Sequence, residues 1–104
     1  MMAKADMDDR PILLHEFLHA FHFDRLPNGR QNQDIITFYR RAKNVSAYAK
    51  NSYMLKNPAE FFAMSASAFL YGRVARPPHS RETVVRSQPI YARYLATLFG
   101  FQSK

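Results

Sequence analysis

The chain has 104 residues, of which 47% are hydrophobic and 22% are charged, and these proportions are typical of one folded globular domain. It has no cysteine. This excludes a disulfide framework, a thiolate metal site and a cysteine nucleophile, and leaves His, Asp and Glu as candidate metal ligands. Lysine and arginine outnumber aspartate and glutamate by 15 to 8, and the net charge of +7 makes anionic partners worth testing.

No membrane span or export signal is predicted. The longest apolar runs fall short of the roughly 18 residues that a transmembrane helix needs. Residues 1–10 have no apolar signal core, so we expect no targeting signal within this chain and leave its localisation open.

The first predicted helix is apolar on most of its circumference. Asp9 and Pro11 suit its start, because proline at the first helical position gives up an N–H that has no partner there anyway. Residues 12–23 then run without a turn residue, and the turn at residues 26–29 ends the helix. A helix that is apolar nearly all round is usually buried, so its few polar side chains need a specific role.

Four further helices are predicted, and no strand. Asn57 is a typical N-cap, Pro58 suits the first helical position, and Gly72 suits the C-cap of the longest of the four. The four helices run from Asn32 to Lys43, from Pro58 to Tyr71, from Ser80 to about Arg86 and from Pro89 to Phe99. The fold class is therefore predicted to be all-α.

Two histidines four residues apart mark the first helix, in the order His15-Glu16-x-x-His19. This spacing offsets them by about 40° around the helix and about 6 Å along it, so both imidazoles can share one metal ion. Glu16 lies about 100° around from His15, where a carboxylate can take a proton from a metal-bound water. Zinc suits this chemistry because it lowers the pKa of bound water towards about 7. The alternative is two satisfied core histidines, but burying two histidines and a glutamate on so apolar a helix without a shared partner is costly.

A catalytic zinc also needs a third protein ligand and an open position. Glu60 is the only acidic residue within residues 35–81. A metal ligand and a capping box with Asn57 explain its position equally well, so the residues alone leave both roles open. His22 follows His15 by seven residues. Three histidines on one straight helix surround an ion poorly, so we expect His22 to be an outer partner or a rim residue.

A second stretch accompanies the histidine motif: Tyr53-Met54-Leu55-Lys56-Asn57-Pro58-Ala59-Glu60-Phe61-Phe62-Ala63. Together the two stretches resemble the gluzincin metallopeptidases, especially the catalytic domain of anthrax lethal factor and the Pro-Pro endopeptidases. The resemblance implies a zinc ion held by His15, His19 and Glu60. It also implies that Glu16 is the general base and that Tyr53 stabilises the oxyanion.

The same resemblance implies a helical metal-site core at about residues 11–72, with the ligand glutamate on a helix antiparallel to the first. The C-terminal helices at about 80–100 complete a single domain over residues 1–104. Related peptidases have a β-sheet before the active helix. Fourteen residues precede His15 here, so we expect a compact zincin-like core without that sheet.

One departure from the family concerns the support of a ligand histidine. Family members commonly have an acidic residue four positions after the ligand glutamate, where this chain has Met64. A metal-bound histidine normally donates its other ring N–H to an outer partner. We therefore expect Ser65, Ser67 or a backbone carbonyl to take that place.

The sequence thus favours a zinc metalloendopeptidase that acts on peptide or protein substrates. One alternative is a catalytically incomplete relic that acts as a zinc-stabilised binding module. A less favoured alternative is a basic helical nucleic-acid binder, because basic and aromatic residues can together bind single strands. These residues are spread over several helices, and we expect solvated helix faces instead. They are Arg73, Arg76, Arg81, Arg86 and Arg93, with Tyr91 and Tyr94 interleaved.

Overall fold

The structure, a computed structural model, describes residues 12–44, 48, 52–74 and 78–100. Within these residues the α-helices are α1 (Ile12–Arg25), α2 (Gln33–Asn44), α3 (Pro58–Tyr71), α4 (Arg81–Ser87) and α5 (Pro89–Phe99). Single 3-10 turns lie at Gly29–Gln31 and Tyr53–Leu55. The described part contains no β-strand, only an isolated antiparallel bridge between Arg73 and Ser80. The prediction of an all-α fold is confirmed.

None of the helices in this part of the chain combines the length and the apolar character that crossing a bilayer requires. The predicted helix start at Asp9 and Pro11 lies outside the described residues, as does Arg76.

The central element is α3, which packs against all four other helices. Residues 61–69 are buried without interruption. A helix surrounded on every side needs apolar residues on every face, and small residues such as Ala66 and Ala68 let its neighbours approach closely. The side chains of Phe61 and Phe62 are fully buried and anchor the core. This places Glu60, at the edge of the buried run, beside α1.

Local capping signals set the ends of α3. The Asn57 side chain accepts a hydrogen bond from the Glu60 backbone N–H at 2.8 Å, and Pro58 occupies the first turn. Gly72 ends the helix with a φ of 104°, and its N–H donates to the Ala68 carbonyl. These two caps fix where Glu60 lies along the helix.

The expectation that α1 is buried all round is wrong. Leu18 and His22 are buried on the side facing α3, whereas Leu13 is 81% exposed and Phe17 is 56% exposed. The reason is position: α1 lies on the outside of α3 and buries one face. The face turned towards the N-terminal turn of α3 carries the two motif histidines.

Candidate metal centre

The two motif histidines lie together on α1. His15 and His19 are separated by about one turn, and their ring centroids are 4.7 Å apart with the planes at 84°. Both side chains are only partly exposed, at 24% and 17%. The helical spacing therefore brings two imidazole nitrogens to one place, half-sheltered from water.

Glu60 reaches this pair from α3. Its Oε1 atom lies 3.3 Å from His15 Nε2 and 3.4 Å from His19 Nε2. The sequence left a capping role and a ligand role open, and the structure shows the cap and places the carboxylate where a ligand role would require it. The backbone N–H of Glu60 is capped by Asn57, while its carboxylate is directed at the two imidazoles.

The three residues offer one ligand atom each, and these atoms lie within 4.8 Å of one another. Four-coordinate zinc with ligand bonds of about 2.0–2.1 Å separates neighbouring ligand atoms by about 3.3 Å in a tetrahedron. The two nitrogen-to-oxygen distances match this separation. Glu60 Oε1 is buried and has no hydrogen-bond partner among the described residues. The donor set and its spacing therefore suit a divalent metal ion.

The protonation of His15 also suits metal binding. Burial lowers the pKa of His15, and the proximity of His19 lowers it further, although Glu60 acts in the opposite direction. The imidazole is therefore neutral at pH 7, and a neutral imidazole is the form that coordinates metals.

An open cleft of about 580 Å³ adjoins two of the three residues, His19 and Glu60. Glu16, His19 and Glu60 line it, and the side chain of Glu16 is exposed to it. A cleft that exposes a carboxylate beside the candidate ligands gives a substrate access to both. The residues that complete the lining are His22, Phe23, Arg30, Asn57 and Ala59.

Tyr53 and the two histidines contact different oxygen atoms of the Glu60 carboxylate. Its hydroxyl donates a hydrogen bond to Glu60 Oε2 at 3.2 Å, while Oε1 faces the imidazoles. The Tyr39 hydroxyl holds the 3-10 turn that carries Tyr53 by donating to the Leu55 carbonyl at 2.8 Å. The phenol is 42% exposed. In this arrangement Tyr53 orients the Glu60 carboxylate.

His22 is buried against Phe62 and Phe23, with ring centroids 5.1 and 5.3 Å away. It is only 1% exposed, and neither ring nitrogen has a hydrogen-bond partner among the described residues. Burial lowers the pKa of His22 to about 4, with smaller contributions from the neighbouring charges of His19 and Arg30. The residue is therefore neutral at pH 7, and it lines the same cleft as His19.

The two serines predicted as outer partners of the histidines are not hydrogen-bonded to them. Ser65 Oγ lies 2.6 Å from both the Phe61 carbonyl oxygen and the Tyr91 hydroxyl, so it is engaged in the core. Ser67 Oγ is buried without a hydrogen-bond partner in the described part of the chain. The buried Nδ1 of His19 likewise has no partner there. The structure thus brings neither serine to His19 by a hydrogen bond.

Two of the basic and aromatic residues of the C-terminal third, Arg81 and Tyr91, have structural roles. Arg81 donates hydrogen bonds to the Phe69 and Leu70 carbonyls at the end of α3. Tyr91 is 1% exposed and packs on Phe61, so its ring cannot stack on a nucleic-acid base.

Sequence reasoning missed Phe23 and Arg30 in the cleft. Phe23 follows His19 by four residues, and its ring stacks on that imidazole with centroids 5.7 Å apart. The spacing was a usable signal for Phe23. Arg30 reaches the cleft only because the backbone turns back after α1, and spacing along a helix does not report such a turn.

The resemblance of this chain to gluzincins rests on the motif residues themselves. Comparisons with family models, with curated proteins and with solved structures found no match.

Proposed function

We propose that this protein is a zinc-dependent metallopeptidase in which His15, His19 and Glu60 hold the ion. The observation that carries the proposal is the convergence of three ligand atoms from α1 and α3 within 4.8 Å. Two imidazoles and one carboxylate form a donor set used by catalytic zinc sites, which keep one position open. The adjoining cleft supplies access to that position.

Each remaining residue of the site has a role in this proposal. Zinc, when bound, supplies Lewis acidity towards a water molecule and a peptide carbonyl. Glu16, exposed in the cleft, takes the proton from the attacking water and delivers it to the leaving amine. Tyr53 holds Glu60 through Oε2 and leaves Oε1 facing the imidazoles. Phe23 packs against the His19 ring and limits its rotation.

The test separates metal binding from turnover. Zinc binding is measured by calorimetry on the full chain, and peptide hydrolysis is measured with a mixture of internally quenched fluorescent peptides. We expect Glu60→Ala to weaken zinc binding by orders of magnitude, because it removes one of three ligands. We expect Glu16→Gln to keep one zinc per chain and to lose turnover.

Glu82 provides the matched control, because it is an exposed carboxylate outside the cleft residues. Glu82→Ala and Glu82→Gln should leave zinc affinity and turnover unchanged. If Glu60→Ala keeps the zinc affinity of the wild-type chain, the ligand assignment is wrong. If Glu16→Gln keeps turnover, the general-base assignment is wrong.

A second candidate is a non-catalytic, metal-stabilised binding module. The observation that favours it is the buried His19 Nδ1, which has no hydrogen-bond partner among the described residues. Outer hydrogen bonds orient ligand histidines and strengthen the site, and losing one typically weakens metal affinity or activity by about 10- to 100-fold. A chain that binds zinc and resists thermal unfolding with it, but hydrolyses no peptide, would match this candidate.

A further inference from the structure

The cleft beside His19 and Glu60 also carries a positive charge. Arg30 lines it together with Glu16, His19 and Glu60. Arg30 belongs to the 3-10 turn that follows α1, so it is brought to the cleft by the fold and not by the helical spacing of the motif.

A left-handed turn places Arg30. Asn28 and Gly29 both have positive φ angles, of 64° and 50°. A Cβ atom on Gly29 would lie 2.7 Å from the Phe23 carbonyl oxygen, so only glycine fits this close approach of the chain to the end of α1. The backbone therefore doubles back, and the next side chain lies against α1.

The guanidinium of Arg30 is held on an aromatic platform. Its Cζ atom lies 4.4 Å from the centroid of the Phe23 ring, which is the geometry of a cation–π contact. The same Phe23 ring stacks on His19, with the planes at 23°. One ring thus contacts both a candidate metal ligand and the cationic side chain, and this fixes Arg30 relative to the site.

This positive charge has no internal partner in the described part of the chain. No described carboxylate lies within 4.0 Å of the Arg30 guanidinium, and no described acceptor takes a hydrogen bond from it. The planar fork of N–H donors matches the two oxygens of a carboxylate, and Arg30 is exposed, so a ligand can reach that fork.

We propose that Arg30 is a specificity-determining residue that binds a carboxylate of the peptide in the cleft, so that the site prefers anionic peptides. This inference rests on the proposed function, since it assigns the substrate class of the same site. The carboxylate is either the peptide's C-terminal α-carboxylate or an acidic side chain, and both present the same two oxygens. The net charge of +7 attracts such peptides at long range.

The test measures peptide binding on the full chain carrying Glu16→Gln and loaded with zinc, so that turnover does not interfere. The probes are dansyl-labelled tetrapeptides of three kinds: tetra-alanine with a free C-terminus, amidated tetra-alanine, and amidated peptides in which a single glutamate replaces each alanine in turn. We expect a carboxylate-bearing peptide to bind about 10- to 100-fold more tightly than the neutral amide. Preference for the free C-terminus or for the glutamate identifies the source of the carboxylate.

Adding Arg30→Gln should abolish that preference, and Arg30→Lys should retain part of it because the charge remains while the fork is lost. The matched control is Arg93→Gln, an exposed arginine of α5 outside the cleft, which should leave the preference intact. Equal binding of all three kinds of peptide, no binding of any of them, or a preference that survives Arg30→Gln would each overturn the inference.

The same measurements distinguish this inference from the proposed function. If zinc binds with one ion per chain but the carboxylate preference is absent, Arg30 is wrongly assigned and the metal site stands. If zinc does not bind but the preference is present in the zinc-free chain and is lost with Arg30→Gln, the metallopeptidase proposal fails and the carboxylate site stands.

Discussion

Two polar residues of α3, Ser65 in its buried middle and Glu60 at its N-terminal turn, differ in how their buried oxygen atoms are bonded. In its buried middle, Ser65 bonds to the Phe61 carbonyl and the Tyr91 hydroxyl, so its polar atom is satisfied within the core. At its N-terminal turn, Glu60 Oε1 is buried without a hydrogen-bond partner, as is His19 Nδ1 across from it on α1, within the described residues. Buried polar groups are normally paired, and an unpaired one costs stability.

At the N-terminal turn of α3, the atom without a partner belongs to a group of three residues that could hold a metal ion. Glu60 Oε1 is an atom that a cation would engage, and His19 Nδ1 is one that an outer partner of a metal-bound histidine would engage. Clusters of unsatisfied groups are expected at functional sites, which retain them at the expense of stability. Variants that alter the two regions separately therefore test the comparison.

The largest expected effect is a loss of stability at low pH, and it follows from the protonation of His22. Its folded-state pKa of about 4 lies below the ordinary histidine pKa of 6.5, so the unfolded chain binds more protons between these two pH values. The stability that neutral His22 contributes is present above pH 6.5 and is lost as the pH falls towards 4. One such group changes the free energy of unfolding by at most about 1.4 kcal/mol per pH unit.

His22→Leu should flatten this pH dependence, because it removes a titrating group from the interior. The measurement is the free energy of unfolding in urea at several pH values, with a chelator present so that metal binding does not contribute. The lowered pKa of His15 gives a residual slope of the same sign in both proteins. An unchanged slope in His22→Leu would contradict the assignment of the effect to His22.

Much of the fold follows from local signals, and the site follows from them only in part. The ends of α3 lie where Asn57, Pro58 and Gly72 predict them, because caps and φ preferences act within a few residues. The meeting of His15 and His19 follows from helical periodicity alone. The spacing of Glu60 fits a capping role and a metal-ligand role equally well, and the resemblance to gluzincins favours the ligand role.

What the sequence could not supply depends on contacts between distant residues. The exposure of Phe17 depends on α1 having α3 on one side, which no local pattern reports. The position of Arg30 depends on the direction of the turn at Asn28 and Gly29. That turn was predicted to end α1, but its residues do not say where the next side chain will lie.

An intermediate effect comes from two serines on the same helix. Ser65→Ala removes the partner of the buried Tyr91 hydroxyl, and we expect a loss of about 1–3 kcal/mol in the free energy of unfolding. Ser67→Ala removes a buried hydroxyl that has no partner among the described residues, so it should be neutral or slightly stabilising. Urea unfolding in the absence of zinc measures both.

These two variants share a chemical change and a helix, so each controls for the other. Neither should change zinc affinity, because neither serine is hydrogen-bonded to a candidate ligand in the structure. A destabilisation of Ser67→Ala as large as that of Ser65→Ala would show that the contrast in hydrogen bonding does not govern stability here.

The smallest expected effect tests how Tyr53 acts. The structure has its hydroxyl donating to Glu60 Oε2 at 3.2 Å, which assigns it to orienting the carboxylate. Tyr53→Phe removes only that hydroxyl, and we expect zinc affinity to fall by up to about tenfold, the low end for loss of an outer hydrogen bond to a ligand. Tyr71→Phe, at the exposed far end of α3, is the matched control and should leave zinc affinity unchanged.

The oxyanion role implied by the resemblance to gluzincins makes a different prediction: zinc affinity would stay constant while the turnover number falls by about 10²–10³. Measuring both quantities on the same protein therefore decides whether Tyr53 acts on the metal ligand or on the substrate, because only the first role requires the hydrogen bond that the folded chain already makes.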